Sequence, residues 1–190
     1  MIRAALLFGG RSAEHEVSIL SARSVAKAAS PDRVEFVPIF VTKDGQFADP
    51  ELSASVLHGA QCTVHSAQGA FSFESWIRDA RLDIVFPLIH GTGGEDGALQ
   101  GYLETLGVPY VGSGVTASAV GMDKHHMKQA FAAAKLPLVE YVALTETDWK
   151  SERERVTRSV VNAMRLPYFV KPANSGSSVG VTKEIGRAHV

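Results

Sequence analysis

The chain has 190 residues, of which 45% are hydrophobic, and a formal net charge of −1 from 19 basic and 20 acidic residues. This length and apolar content predict a globular protein of one large or two smaller domains, and the balanced charge argues against a nucleic-acid-binding surface. The single cysteine, Cys62, excludes an internal disulfide, which fits a reducing compartment. No secretory signal and no apolar run of membrane-spanning length is present, so we expect a cytoplasmic protein without membrane contact.

The first segment predicts a strand followed by a helix. Residues 2–8 form an apolar run that ends in two glycines, which is typical of a buried parallel strand. Ser12 is predicted to cap a helix that reaches about residue 28. Its apolar face is predicted to hold three residues at roughly helical spacing: Val17, Leu20 and Val25.

Three more strands are predicted along the first half of the chain: residues 34–41, 83–91 and 108–113. A helix is predicted over about residues 96–106. This alternation predicts an α/β, Rossmann-like parallel sheet with helices on both faces. Ligands bind at the carboxyl ends of such strands, where Gly9-Gly10 and His90-Gly91 are expected to lie.

The pattern changes after residue 115. Two helices are predicted up to about residue 134, then a strand over 139–144 and a helix over 151–164 that begins with a capping box of Ser151 and Glu154. A hairpin is predicted from residues 166–171 and 179–183. We therefore predict domains at 1–115 and 116–183, the second too small to close a core. The last seven residues, EIGRAHV, match the translation of a common sequencing adapter, so 184–190 are predicted to be a non-native tail.

Two stretches at the predicted strand ends could bind a small ligand. In GGRSAEHEVS, the glycines let a ligand approach the backbone, and Glu14 in the first helical turn could bind a substrate ammonium. A plain tight turn is the alternative. In IHGTGGEDGALQG, His90 could donate to a carboxylate or phosphate oxygen. A structural histidine is the alternative there, and Glu95 and Asp96 could simply start the following helix.

Two later stretches carry lysines. GMDKHHMK contains Lys124 beside two adjacent histidines, which point in different directions on a helix and so disfavour a metal site. A solvated helix face is the alternative for its lysines. In KPANSGSSVGV, Lys171 follows a strand, and the small residues after it could fold over a triphosphate. A hairpin turn is the alternative, and the order of lysine and glycines excludes a Walker-type loop.

Taken in order, these stretches resemble the D-alanine–D-alanine ligase family of the ATP-grasp superfamily. The resemblance is carried by LFGGRSAEHEVS, HGTGGEDGALQGYLETLGVPYVGSG, MDK and FVKPANSGSSVGV. It implies that the second domain is the first part of an ATP-grasp α+β domain. It also implies an enzyme that uses ATP to join two D-alanines, through an acyl phosphate, for peptidoglycan synthesis.

The resemblance also implies roles for individual residues. Glu14 would bind the ammonium of the first D-alanine, and His90 would lie beside its carboxylate. Lys124 and Lys171 would hold ATP phosphates. The loop that closes over ATP would contain Ser177, which is hydrogen-bonded near Glu14 in the family, and Ser178.

The family continues beyond residue 183. That later segment supplies the ligands of Mg²⁺, for which Mn²⁺ could substitute, so no metal ligand is expected in this chain. The chain is therefore expected to be a truncated ligase that is inactive alone and homodimeric at full length. Two alternatives stay open: a complete non-catalytic nucleotide- or amino-acid-binding module, and a ligase for another acceptor such as D-lactate.

Overall fold

The computed structural model describes residues 1–60 and 71–186. They form two compact units, Met1–Gly121 and Met122–Val190, and the division lies a few residues beyond the predicted boundary at 115/116. Cys62 lies outside the described residues, as do residues 187–190 of the predicted tail.

The first unit is built on a three-stranded parallel sheet. β1 (Ile2–Gly9) is the central strand, between β2 (Val34–Val41) and β3 (Ile84–Pro87). Its Ala5 pairs with Val37 on one side and Val85 on the other. Because β1 is covered on both faces, its residues from Ala4 to Phe8 are all buried, which explains the unbroken apolar run.

The helices of this unit are α1 (His15–Ala28), α2 (Pro50–Leu57), α3 (Phe73–Asp79) and α4 (Ala98–Thr105), and α5 (Val115–Met122) runs across the division. Two apolar clusters cover the two faces of the sheet. Leu6 and Phe8 of β1 pack with residues of α1 and α2, whereas Ala5 and Leu7 pack with residues of α3 and α4. The predicted α/β sheet with helices on both faces is confirmed.

Helix α1 differs from its prediction in start and orientation. It begins at His15, so Ser12 is not its cap, and Glu14 precedes the helix instead of lying in its first turn. The buried face holds four residues: His15, Ser18, Ile19 and Ala22. Val17 and Leu20 are 49% and 59% exposed. The predicted face was wrong for Val17 and Leu20, because Ile19, Ala22 and the small polar Ser18 face the sheet instead. Val25 does pack against the same apolar cluster, as predicted.

Two predicted strands are shorter than expected. β3 ends at Pro87, which pairs with Leu7, whereas β1 continues beside β2 to Gly9. Gly9 and Gly10 then turn the chain, with φ angles of 96° and 94°. Residues 108–113 form no strand, only a single bridge between Tyr110 and Val85. Gly112, with a φ of 122°, turns the chain just beyond that bridge.

The second unit contains α6 (Lys124–Ala133), α7 (Glu146–Ser151), α8 (Arg153–Ala163) and an antiparallel hairpin of β4 (Tyr168–Val170) and β5 (Thr182–Glu184). The helices predicted up to about residue 134 and over 151–164 are confirmed as α5, α6 and α8, and the predicted hairpin is confirmed as well. Val156 is the only apolar side chain that is buried in the described part of this unit.

Two predictions in the second unit are wrong. Residues 139–144 pair with no described strand, and Val139 is 80% exposed. The capping box lies at the start of α7, between Thr145 and Asp148, and not at Ser151. The Ser151 hydroxyl donates to the Thr147 carbonyl at 2.7 Å instead of capping α8. None of the helices in the described ranges has the length and apolar character that a bilayer crossing needs.

Candidate functional site

A buried serine joins the carboxyl ends of β1 and β3. The Gly9 N–H donates to Ser18 Oγ at 2.8 Å, and the Ser18 hydroxyl donates to the Leu88 carbonyl at 2.5 Å. Ser18 is fully buried, as is its hydrogen bond from the Gly9 N–H, whereas the bond to the Leu88 carbonyl is partly buried. One side chain of α1 therefore fixes the edge of the sheet where a ligand is expected.

Glu14 lies at this edge, between the glycine turn and α1, and is half-buried. Its Oε2 is packed against Gly91, where a Cβ would come within 2.7 Å of it. Gly91 has a φ of 70°, so glycine is favoured there both by backbone conformation and by the close carboxylate. A carboxylate held in front of a helix start can bind an ammonium group.

His90 is held at the same edge by two hydroxyls. Ser12 Oγ donates to the His90 carbonyl at 2.7 Å and accepts from the Glu14 N–H at 3.2 Å. Ser21 Oγ lies 3.0 Å from His90 Nε2. The structure thus brings the segments of Glu14 and His90 together, although they are far apart in the sequence.

The glycine-rich loop after His90 is closed by its own carboxylates. Gly91 N–H donates to Glu95 Oε2 at 2.7 Å, and Gly93 N–H donates to Asp96 Oδ2 at 2.8 Å. Asp96 Oδ1 also accepts from the Ala98 N–H at the start of α4, at 3.1 Å. Asp96 therefore bonds to the start of α4, as in the simpler of the two sequence interpretations, whereas Glu95 closes the loop instead.

Gln100 is a buried polar residue that the sequence interpretation missed. It is 7% exposed, and its Nε2 donates to the Gly94 carbonyl at 2.9 Å. Its Oε1 is buried and has no hydrogen-bond partner among residues 1–60 and 71–186. Gln100 lies in the first turn of α4, directly after the glycine-rich loop. That position in the sequence could have indicated a polar side chain that contacts the loop.

Lys124 of the second unit contacts the Ser/Gly-rich loop. Its backbone N–H donates to the Ala173 carbonyl at 3.1 Å. Its ammonium donates to the Ser175 carbonyl at 2.5 Å and is 3.4 Å from the Ala173 carbonyl. The structure thus brings together a lysine and a loop that the sequence interpretation assigned to one phosphate site.

This loop, residues 172–180, holds an unusual backbone. Ser177 and Ser178 are exposed and have φ angles of 45° and 61°. Such left-handed conformations cost non-glycine residues about 1–3 kcal/mol each and concentrate in ligand-binding loops. Gly180 has a φ of 70°, and a Cβ there would come within 2.8 Å of Pro172 Cγ. Lys171 is exposed at the end of β4, with its ammonium 5.8 Å from the Phe169 ring centroid.

The start of α6 has its own electrostatic arrangement. Asp123 caps the helix by accepting from the N–H groups of His125 and His126 at 2.9 and 3.0 Å. The His126 N–H, followed by the other donors, holds the pKa of Asp123 below its ordinary value. Across the described ranges, no group of three or more His, Cys, Asp or Glu side chains could hold a metal ion.

An aromatic cluster lies elsewhere in the first unit. Phe47 and Phe73 stack with ring centroids 4.5 Å apart, and the half-buried Tyr102 packs beside them. The Tyr102 hydroxyl donates to Glu74 Oε1 at 3.2 Å. Burial and the neighbouring carboxylate raise the pKa of Tyr102 to about 12.

Two family models cover most of the chain. The model of the D-ala D-ala ligase N-terminus matches residues 3–113, and that of the D-ala D-ala ligase C-terminus matches residues 130–188. The chain belongs to the D-Ala–D-Ala ligase family. The family predicted from the four sequence motifs is confirmed. The second match includes residues 184–188 of the predicted tail.

Curated relatives of this family are similar over nearly the whole chain. A D-alanine–D-alanine ligase of Halothermothrix orenii is 43% identical over 185 residues, which cover 96% of this chain and 54% of that protein. One from Geobacillus kaustophilus is 42% identical, over 94% of this chain and 52% of its own length. The chain thus spans about half the length of the curated relatives it matches.

Solved structures of ligases share the fold. The D-alanine–D-alanine ligase from Coxiella burnetii has a TM-score of 0.75 and 29% identity, over 97% of this chain and 56% of that one. The VanG D-Ala:D-Ser ligase from Enterococcus faecalis has a TM-score of 0.71 and 27% identity, over 98% and 56% of the two chains. These two solved relatives are named for different second substrates, D-serine in one and D-alanine in the other.

Proposed function

We propose that this chain carries substrate- and nucleotide-binding residues of a ligase that uses ATP to join two D-alanines for peptidoglycan synthesis. Membership in the family supports the reaction class. The observation that carries the proposal is the meeting of a half-buried carboxylate, Glu14, and a held imidazole, His90, at the carboxyl ends of β1 and β3. An amino acid presents an ammonium and a carboxylate, and this pair of side chains complements both.

The first step transfers a phosphoryl group. An oxygen of the first D-alanine carboxylate attacks the γ-phosphorus of ATP, and the bond to ADP breaks, which leaves an acyl phosphate. Glu14 holds the ammonium of this D-alanine and His90 contacts its carboxylate. Together they fix the attacking oxygen, and such positioning is a large part of the acceleration of phosphoryl transfer.

The second unit binds the nucleotide in this proposal. Lys124 and Lys171 neutralise phosphate charge, and the N–H groups around Ser177 and Ser178 cover the triphosphate. Ser177 and Ser178 are consecutive left-handed residues of a turn that is closed by the Val179 N–H and the Gly176 carbonyl at 3.0 Å. Such conformations concentrate in ligand-binding loops, which supports this role. In the second step the amine of the second D-alanine attacks the acyl carbon, loses a proton and expels phosphate.

Magnesium supplies charge neutralisation on the transferring phosphoryl group when it is bound. The described residues contain no acidic cluster fit to hold it, so we derive no step through the metal. We place the enzyme in the cytoplasm, where ATP is available, and propose a homodimer on the basis of the family resemblance.

Phosphate release tests the proposal. The chain is extended by the second half found in its relatives and assayed with ATP, Mg²⁺ and D-alanine. We expect phosphate release that requires D-alanine. Faster phosphate release with D-serine or D-lactate would identify that compound as the second substrate in place of D-alanine. ATP binding without phosphate release would favour a non-catalytic binding module.

Matched variants locate the two substrates. Glu14→Gln should raise the KM for D-alanine about tenfold or more and leave that for ATP unchanged, because a lost hydrogen bond to a charged group costs about 1.5–3 kcal/mol. The control is Glu16→Gln, since Glu16 pairs with Lys43 at 3.0 Å on the surface.

Lys171→Ala should raise the KM for ATP by a similar factor. Its control is Lys128→Ala, because the Lys128 ammonium lies over the Tyr141 ring, 4.7 Å from its centroid. An unchanged ATP dependence in Lys171→Ala would remove Lys171 from the phosphate site.

A further inference from the structure

One ring nitrogen of His90 is occupied by a helix hydroxyl. Ser21 Oγ lies 3.0 Å from His90 Nε2 in a half-buried position, and no other hydrogen bond of this hydroxyl occurs among the described residues. His90 Nδ1 is therefore the ring nitrogen left for a ligand.

The side chain of Ser21 is turned away from its own helix. Ser24, one turn later in α1, shows the usual alternative, since its hydroxyl donates to the Leu20 carbonyl at 3.0 Å. Ser21 makes no such bond and reaches His90 instead. This contrast within one helix shows that the Ser21 rotamer is set by the imidazole and not by the local backbone.

The direction of the hydrogen bond decides which tautomer His90 adopts. If the Ser21 hydroxyl donates, Nε2 is the unprotonated acceptor and the neutral ring carries its proton on Nδ1. If Nε2–H donates instead, the hydroxyl proton of Ser21 has no acceptor in the described structure. The first arrangement satisfies both groups, and half-buried polar groups favour such satisfaction.

We propose that Ser21 is a positioning residue that holds His90 in the Nδ1–H tautomer. The backbone of His90 is anchored as well, because Ser12 donates to its carbonyl at 2.7 Å. One hydroxyl thus anchors the backbone of His90 and another holds its ring, and both hydroxyls come from the segment that carries Glu14.

The tautomer determines what His90 can do, and this step rests on the proposed function. A neutral imidazole with a proton on Nδ1 donates a hydrogen bond to a carboxylate or phosphate oxygen without becoming charged. The same nitrogen cannot accept a proton. His90 therefore acts as a fixed donor to the anionic group of the substrate and not as the general base that deprotonates the attacking amine.

Nitrogen-detected NMR of the 190-residue chain tests the tautomer directly. Histidine is labelled with ¹⁵N, and spectra are recorded near pH 8.5, well above the ordinary imidazole pKa of about 6.5. His90→Gln identifies the His90 signals. We expect the shift of a protonated nitrogen at Nδ1 and of an unprotonated one at Nε2.

Three serine variants complete the experiment. Ser21→Ala should move His90 towards the Nε2–H tautomer that free histidine prefers, Ser21→Thr should restore the Nδ1–H form, and Ser24→Ala should change nothing. A wild-type His90 with its proton on Nε2 would overturn the inference, and so would a tautomer that Ser21→Ala leaves unchanged.

A kinetic arm separates this inference from the proposed function. In the extended chain, Ser21→Ala should raise the KM for D-alanine about tenfold, a change of about 1.4 kcal/mol, and leave the KM for ATP unchanged. A wild-type chain that shows the Nδ1–H tautomer but releases no phosphate would contradict the proposed function while supporting the role of Ser21. Unchanged D-alanine kinetics in a variant with a shifted tautomer would overturn the donor role of His90.

Discussion

Replacement of Gly91 by alanine should damage substrate binding more than stability. An added Cβ would lie 2.7 Å from Glu14 Oε2 and 3.3 Å from Ser12 Cβ, so the carboxylate must retreat by roughly 1 Å to reach ordinary contact. The contact atom is the far end of a flexible side chain and not backbone, so the carboxylate is the group that shifts. The backbone is a second burden, because a φ of 70° costs alanine about 1–2 kcal/mol.

Gly93 provides a matched control in the same loop. Its φ is 85°, its N–H also donates to a loop carboxylate, and a Cβ there would meet nothing within 4 Å. Gly93→Ala should therefore lose the same 1–2 kcal/mol or so of unfolding free energy without moving Glu14. The difference between the two variants isolates the contact with the carboxylate.

Two measurements decide the outcome. Urea unfolding of the 190-residue chain should give similar losses for Gly91→Ala and Gly93→Ala. In the extended chain, kcat/KM for D-alanine should fall by up to about 100-fold in Gly91→Ala, since a displacement of 1 Å can have that effect, and little in Gly93→Ala. Equal losses of kcat/KM in both variants would refute the reasoning, because strain in the loop would then explain everything.

Three further predictions concern stability and titration. Ser18→Ala should lower the free energy of unfolding by about 1–3 kcal/mol, because it leaves the buried Gly9 N–H without an acceptor. The exposed control Ser24→Ala should change it by less than about 0.5 kcal/mol in the same urea assay. Asp123→Ala should cost the second unit about 1 kcal/mol in thermal unfolding, while Asp123→Asn retains the cap. Because folding lowers the pKa of Asp123, its contribution is present above about pH 4 and is lost as the pH falls through the folded-state pKa. Tyr102 has a raised folded-state pKa, so its contribution to stability is present below about pH 10 and is lost as the pH rises through about 12. In an absorbance titration, Glu74→Gln should lower the pKa of Tyr102 only part of the way to 10, because burial is the larger cause of the shift. A complete return of this pKa to 10 would contradict that order of causes.

The sequence alone determined the layered fold and the family. The apolar run of β1 could be recognised locally, because a strand buried on both faces needs nearly every side chain to be apolar. The paired strands of the β4–β5 hairpin were equally predictable, since they lie close in the sequence on either side of a glycine-containing loop. Motif order then identified the ligase family.

The tertiary structure alone decided how the site is assembled. Residues 139–144 have the composition of a strand, but a strand needs a partner, and none lies beside them in the described structure. The spacing of Val17 and Leu20 suggested an apolar face, yet the sheet edge instead receives Ser18 and, next to it, Ser21, whose acceptors lie in a distant segment. Local periodicity shows which residues share a face of a helix. It does not show which face is buried, or that a helix hydroxyl contacts the His90 imidazole, because both depend on segments that only the folded chain brings together.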